Sequence, residues 1–149
     1  MSVAAVLPLS ARRPFRTMSD FTYLILEYSV VDGDSMHTTL DLGFNARIDL
    51  SARLDGIDTP ERGTVAGKLV KEFVVKWMAK QSKHRSESVA RDKYEGRYLA
   101  RIHGDKGCLN DLLILKQLCR IYAGGKRDDW KETELKRIEK AAQKALLEV

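Results

Sequence analysis

Little in this chain can cross-link it. Only two cysteines, Cys108 and Cys119, occur in 149 residues, and no second pair supplies a C-x-x-C spacing or a histidine partner for zinc. Both are expected as free, half-buried thiols. No apolar run approaches the ~20 residues that cross a bilayer as a helix, so no membrane partner is expected. A positive region is lacking ahead of the apolar patch Val3 to Leu9, so a secretory leader is not expected and a cytoplasmic location is. Acidic residues are absent from Met1 to Met18, where Arg12, Arg13 and Arg16 give the composition of an organellar presequence. Met18-Ser19-Asp20 would serve equally well as a start, and residues 1–18 are expected to form a disordered, dispensable tail.

What is present describes one compact domain over 19–149. Hydrophobic residues make up 44% and charged residues 32% of the chain, a balance that excludes wholesale disorder. Lys and Arg outnumber Asp and Glu by 26 to 21, a formal charge of +5 that favours an anionic partner through long-range steering. Nothing marks an obligate protein partner, and a monomer is expected.

The first third reads as a β-meander. Phe21 to Val31 is rich in Tyr, Ile, Leu and Val and stops at Asp32-Gly33-Asp34. A second alternation ends at Asp41 to Asn45, and a third runs from Ala46 to Ile57. Thr59-Pro60-Glu61 then has the residues of a helix start: an N-cap, a first-turn proline and an acid at the positive end of the dipole. Val65, Leu69, Phe73 and Trp77 recur every fourth residue, an amphipathic face that packs on a core. Ser88 to Arg91 and Arg97 to Ile102 read as two further strands. Asn110 is placed as the cap of a second helix through Cys119, and a third helix begins near Asp128, burying Trp130, Leu135, Ile138, Ala142 and Ala145. The order β-β-β-α-β-β-α-α has the layout of a β-rich α+β fold, a small five-stranded Greek-key barrel with three helices. Such barrels frequently hold nucleic acids and oligosaccharides.

Asp34 and Asp58 stand at the ends of separate strands, where sheet pairing can bring both carboxylates to one rim. With the Thr59 carbonyl they make an all-oxygen donor set that suits calcium and leaves positions open for water and phosphate. Zinc is disfavoured, since no His or Cys lies near these acids. Glu61 can serve as a general base or an orienting acceptor for water, and a rate that climbs into the alkaline range is expected of so weak a base. Arg53 and Arg97 offer the planar forks that stabilise charge on phosphate oxygens. Lys93, Tyr94 and Tyr122 can line a nucleotide pocket, although tyrosines in β-rich domains also serve as half-buried packing residues. Each piece alone has a bland counterpart: a turn at Asp32-Gly33-Asp34, a helix cap at Thr59-Pro60-Glu61, solvated cations at Lys80, Lys83, His84, Arg85, Lys126 and Arg127.

Taken in order, Val30 to Ser35, Arg53 to Glu61, Asp92 to Ala100 and Leu109-Asn110 resemble the staphylococcal nuclease (thermonuclease) family over roughly Val30 to Ala145. The resemblance implies an oligonucleotide-binding (OB) barrel with three helices and calcium-dependent cleavage of DNA and RNA that leaves 3′-phosphates. It implies calcium on Asp34, Asp58 and the Thr59 carbonyl, water activation by Glu61, and phosphate binding by Arg53 and Arg97. Lys93, Tyr94 and Tyr122 correspond less closely to the residues around the bound nucleotide. The alternative is a catalytically weak or inactive OB module that binds nucleic acid or protein. Three departures from the family pattern stand out. Ser35 replaces a threonine, Glu95 is an extra residue before Gly96-Arg97, and Gln117 stands where a glycine commonly turns the chain, so that the second helix either runs on or accepts a left-handed residue.

Overall fold

The computed structural model of the protein describes residues 20–93 and 96–149. The tail expected over 1–18 lies outside them, as do Tyr94 and Glu95. The meander consists of β1 (Thr22–Asp32), β2 (Ser35–Gly43) and β3 (Ala46–Leu54). Alternation sets the register: Met36, Thr38 and Leu40 of β2 point inward and are buried, and their strand pairs antiparallel with both neighbours. Phe44 and Asn45 join β2 to β3 with φ of 50° and 62°, the left-handed pair whose twist matches the flanking strands.

After a bend at Asp55-Gly56 come β4 (Ile57–Asp58), α1 (Val65–Lys80), β5 (Arg85–Arg91) and β6 (Arg97–Gly104). β5 pairs antiparallel with β1 and with β6. β6 then runs parallel to β3, from Ser51 opposite Arg97 to Leu54 opposite Ala100, and closes the sheet on itself. Closure removes the exposed edges that an open sheet would present. The result is a closed five-stranded OB barrel with three helices, the fold class the sequence implied. β7 (Gly107–Cys108), α2 (Leu109–Leu115), β8 (Arg120–Ile121) and α3 (Glu132–Glu148) complete the chain. The two-residue strands β4, β7 and β8 were not foreseen as separate elements.

Met36, Leu54, Ala100 and Ile102 from the barrel meet Val70, Phe73, Val74 and Met78 from α1, and Leu113, Leu118 and Ile138 extend the same core. Val65 does not join it and stays exposed, because α1 begins later than its sequence suggests. Thr64 is the N-cap, its Oγ1 accepting from the Gly67 N–H at 3.0 Å. Thr59-Pro60-Glu61 is therefore an irregular link ahead of the helix and not its first turn. Asn110 is no cap either. It lies inside α2, fully buried, while Cys108 holds the N-cap position. α3 begins at Glu132, four residues past Asp128, with the Glu134 carboxylate accepting from the Lys131 N–H.

α2 stops at Leu115, short of the expected Cys119, and does so through a left-handed residue. Gln117 has φ of 59°. Its N–H donates to Ile114 O at 3.1 Å, and the Leu118 N–H donates to Leu113 O at 2.9 Å. This is the Schellman pattern, with Leu113 and Leu118 supplying its apolar contact. A side chain at that φ costs about 1 kcal/mol or more relative to glycine. Gln117→Gly is thus expected to raise unfolding stability by about 1 kcal/mol in urea denaturation; a loss of stability would contradict the strain.

Candidate active site

The site is assembled where β3, β4 and the β1–β2 turn meet. Ser35 pairs with Arg53 across β2 and β3, and the Leu54 N–H donates to Asp34 O at 2.8 Å. That register sets the Asp34 turn directly beside the Arg53 side chain. Gly33 is glycine for a steric reason: a Cβ there would stand 2.7 Å from Val70 Cγ1 and 2.9 Å from Thr59 Oγ1. The turn therefore lies close against α1 and Thr59, and the Thr59 N–H donates to Asp34 Oδ2 at 3.0 Å. The serine at position 35 keeps the hydroxyl function of the family's threonine, donating to Asp32 Oδ1 at 2.5 Å.

Arg53 is the hub. Its two terminal nitrogens divide between the acids, Nη1 at 3.6 Å from Asp34 Oδ2 and Nη2 at 3.5 Å from Asp58 Oδ1. Nη2 also donates to Ile57 O at 3.3 Å. All three side chains are buried. These separations exceed the about 2.7–2.9 Å of a tight charge-assisted hydrogen bond, so the carboxylates share a cation without being locked by it.

Burial pushes the Asp34 carboxyl up to about 7. A hydrogen bond with Asp32 acts in the same direction, and the Arg53 charge and the Thr59 N–H oppose it. Burial also pulls Asp32 upward, but hydrogen bonds from Asp34 and Ser35 outweigh it and hold that carboxyl below its usual range. The neighbouring Cys119 thiol is pushed up to about 12 by burial and by the Asp34 and Asp58 charges. Cys119 and Cys108 are both free thiols.

Asp58 holds more partners than the sequence suggested. Arg120 donates to Oδ2 through Nε at 3.1 Å and Nη2 at 3.0 Å. Arg127 Nη1 lies 3.5 Å from Oδ1. β8 delivers Arg120, since Asp58 pairs with Arg120 and Ile57 with Ile121; the Arg120 guanidinium also stacks 3.9 Å from the Trp130 ring centre. A two-residue strand 62 positions away in sequence leaves no periodicity to read. The only signals were a lone arginine before Ile121-Tyr122 and the basic pair Lys126-Arg127.

Beside this cluster opens a cavity of about 480 Å³, lined among others by Arg53, Lys93, Arg97, Tyr122, Gly125 and Arg127. Arg97 pairs with the Asp92 carboxylate, and the Asp92 N–H donates to Arg97 O at 3.0 Å, so this acid restrains the arginine. Lys93 Nζ donates to Gly125 O at 3.3 Å, and Tyr122 Oη donates to the same oxygen at 2.5 Å. Of the expected site residues, Arg53 touches Asp34 and Asp58, the Thr59 N–H reaches Asp34, and Lys93, Arg97 and Tyr122 line the adjoining cavity. Tyr94 lies outside the described residues. The Glu61 side chain is exposed, two residues beyond Thr59, and its carbonyl accepts from the Thr64 N–H and Oγ1. Gly67 makes that approach possible, because a Cβ there would meet the Glu61 oxygen at 2.0 Å.

The donors fit a hard cation. Two buried carboxylates and a loop carbonyl offer oxygen, and the Cys119 thiol, which feels both acid charges, corrects the expectation that no Cys lies near them; no group of three or more His, Cys, Asp or Glu forms a cation cage among the described residues. An ion held by so few protein ligands keeps water and substrate positions free. His84, one of the basic candidates, is a structural residue whose Nε2 lies 2.6 Å from Met78 O.

No curated protein matches the chain. A family model described as staphylococcal nuclease homologue does, over residues 51–148. The match takes in Arg53, Asp58, Arg97, Arg120 and Arg127 but begins beyond the Asp34 turn, whose place beside Arg53 rests on the β2–β3 register. With more than half of its length matched, on a closed OB barrel, the chain belongs to the staphylococcal nuclease family.

Proposed function

We propose that the protein is a calcium-dependent nuclease that hydrolyses DNA and RNA with little sequence preference. The observation that carries this reading is the division of Arg53 between Asp34 and Asp58 at the edge of a cavity that Arg97 and Lys93 also line. Asp34, Asp58 and the Thr59 carbonyl would hold the cation, which would supply positive charge against the phosphate. Glu61 accepts a proton from the attacking water. The guanidinium groups of Arg53 and Arg97 donate to the non-bridging oxygens, where negative charge gathers as the new P–O bond forms. The P–O5′ bond breaks, leaving a 3′-phosphate and a 5′-hydroxyl that takes up a proton. Lys93 and Tyr122 border the nucleotide on one side.

Plasmid DNA and total RNA incubated in calcium, magnesium or chelator test the reading, with Glu61→Gln in parallel. Cleavage is expected in calcium alone, and Glu61→Gln is expected to lower the rate by about 10²- to 10⁴-fold, the range for loss of a general base. Cleavage that persists in chelator, or that Glu61→Gln leaves intact, would remove the mechanism. Calcium binding followed by calorimetry adds a pH readout. Below about pH 7 the cation displaces a proton from Asp34, so affinity is expected to rise with pH up to neutrality and then level off.

A further inference from the structure

Three guanidinium groups converge on one buried carboxylate, and one of them is unlike the others. Arg53 and Arg120 reach Asp58 from strands, with side chains 4% and 22% exposed. Arg127 reaches it from the Tyr122 to Arg127 loop, with its side chain 36% exposed and a single contact of 3.5 Å to Oδ1. The guanidinium of Arg127 lies 5.9 Å from the Tyr122 ring centre, and that of Arg53 lies 5.5 Å from the same ring. Gly124 and Gly125 turn this loop back toward the acid pair with φ of 96° and 88°, and Lys93 and Tyr122 both hold the Gly125 carbonyl. Arg127 therefore stands between the acid pair and the cavity, on the most yielding of the three supports.

We infer that Arg127 is an exchangeable substrate-binding residue: it neutralises Asp58 while the cation is absent and turns to the substrate phosphate when the cation takes that carboxylate. The inference rests on the calcium reading above. A cation and Arg127 cannot both hold Oδ1 at close range without repulsion, and the more exposed side chain is the one able to leave. Its new position lies in the same cavity as Arg53 and Arg97, where a third planar fork suits a phosphate oxygen. Calcium affinity and phosphate affinity thus place opposite demands on the same side chain.

The test is calorimetric titration of the full chain and of Arg127→Ala and Arg127→Lys, first with calcium chloride alone and then with thymidine 3′,5′-bisphosphate in saturating calcium. Arg127→Ala is expected to bind calcium about two- to fivefold more tightly, the scale of one partly exposed like charge, and the bisphosphate about tenfold more weakly. Arg127→Lys keeps the charge but not the fork, so its calcium affinity stays near wild type while bisphosphate binding falls. A merely structural role for Arg127 would weaken both ligands together in the alanine variant, and that result, or no change in either, overturns the inference. If the unaltered protein binds no calcium, the site reading itself fails and the exchange goes with it.

Discussion

Arg53→Ala is expected to reduce turnover on plasmid DNA by about 10²- to 10³-fold, the cost of removing one preorganised donor from a phosphoryl transition state. The same substitution carries a second, separable effect. Arg53 is buried between two buried acids, and removing one partner of such a cluster leaves charge uncompensated at about 3–5 kcal/mol. Asp58 keeps Arg120 and Arg127, so the loss falls mainly on Asp34.

The pH dependence follows from the direction of the Asp34 shift. Its carboxyl already sits at about 7, above the unfolded value, and the Arg53 cation is one of the influences that lower it. Without that cation the pKa rises further. At pH 6 the folded variant carries a neutral Asp34 and the penalty is small; at pH 8 it must either bury the charge or hold the proton against solvent, and the penalty is larger. On the calcium reading, the ion is expected to replace the missing cation and to contribute about 2.7 kcal/mol at a concentration 100 times its dissociation constant. Thermal unfolding of wild type and variant, with calcium and with chelator, at both pH values, checks all of this. A variant that keeps turnover within tenfold of wild type, or whose loss of melting temperature is indifferent to calcium, would contradict the place given to Arg53.

The barrel was legible because its strands alternate and its turns are marked: Asp32-Gly33-Asp34 and Gly43-Phe44-Asn45 each fall between apolar runs. Thr59-Pro60-Glu61 misled for a local reason with a tertiary answer. Its residues are those of a helix start, but the Thr59 N–H, a donor a first turn would leave unsatisfied, is claimed by Asp34, which pins the segment to the barrel rim. Thr64, five residues on, has the Gly67 N–H within reach of its hydroxyl. A long-range hydrogen bond therefore holds the expected start on the barrel rim, and the helix begins at a threonine that the sequence reading did not single out.

Gln117 was legible as a site of strain but not in its outcome. The burial of Leu118 decides the matter, since a continuing helix would carry that side chain away from Leu113. Arg120 and Arg127 were the least legible functional candidates. Their partner is one carboxylate reached across the fold, and a basic residue in an irregular stretch reads as a solvated charge until the pairing of β4 with β8 is known. Glu95, the extra residue before Gly96-Arg97, lies outside the described residues. The carboxylate that holds Arg97 is Asp92, five residues before the arginine, which the hairpin brings back beside it.

Asn110→Ala is expected to cost about 3–5 kcal/mol of stability, an exceptional value for one substitution. The side chain is fully buried, and apart from a contact of the Cys108 thiol with Oδ1 at 3.7 Å its amide bonds to backbone. Its oxygen accepts from the Ile102 N–H at 3.1 Å, and its nitrogen donates to Asp55 O at 3.0 Å and Ala100 O at 3.1 Å. Alanine would leave these groups without that partner, at about 1–3 kcal/mol for each one stranded, although Ala100 O retains the Asp55 N–H. The three bonds join α2 to β6 and to the bend that precedes Asp58, so the amide fixes both the barrel closure and the entry to the acid pair. Asn110→Asp sharpens the test. An ionised carboxylate still accepts from Ile102 but faces two carbonyls it cannot bond, whereas the protonated acid can donate to one of them. That variant should therefore be less stable than wild type at pH 7 and recover part of the difference at pH 5. Urea denaturation at the two pH values measures both effects, and an alanine variant within 1 kcal/mol of wild type would mean that water, and not Asn110, satisfies this junction.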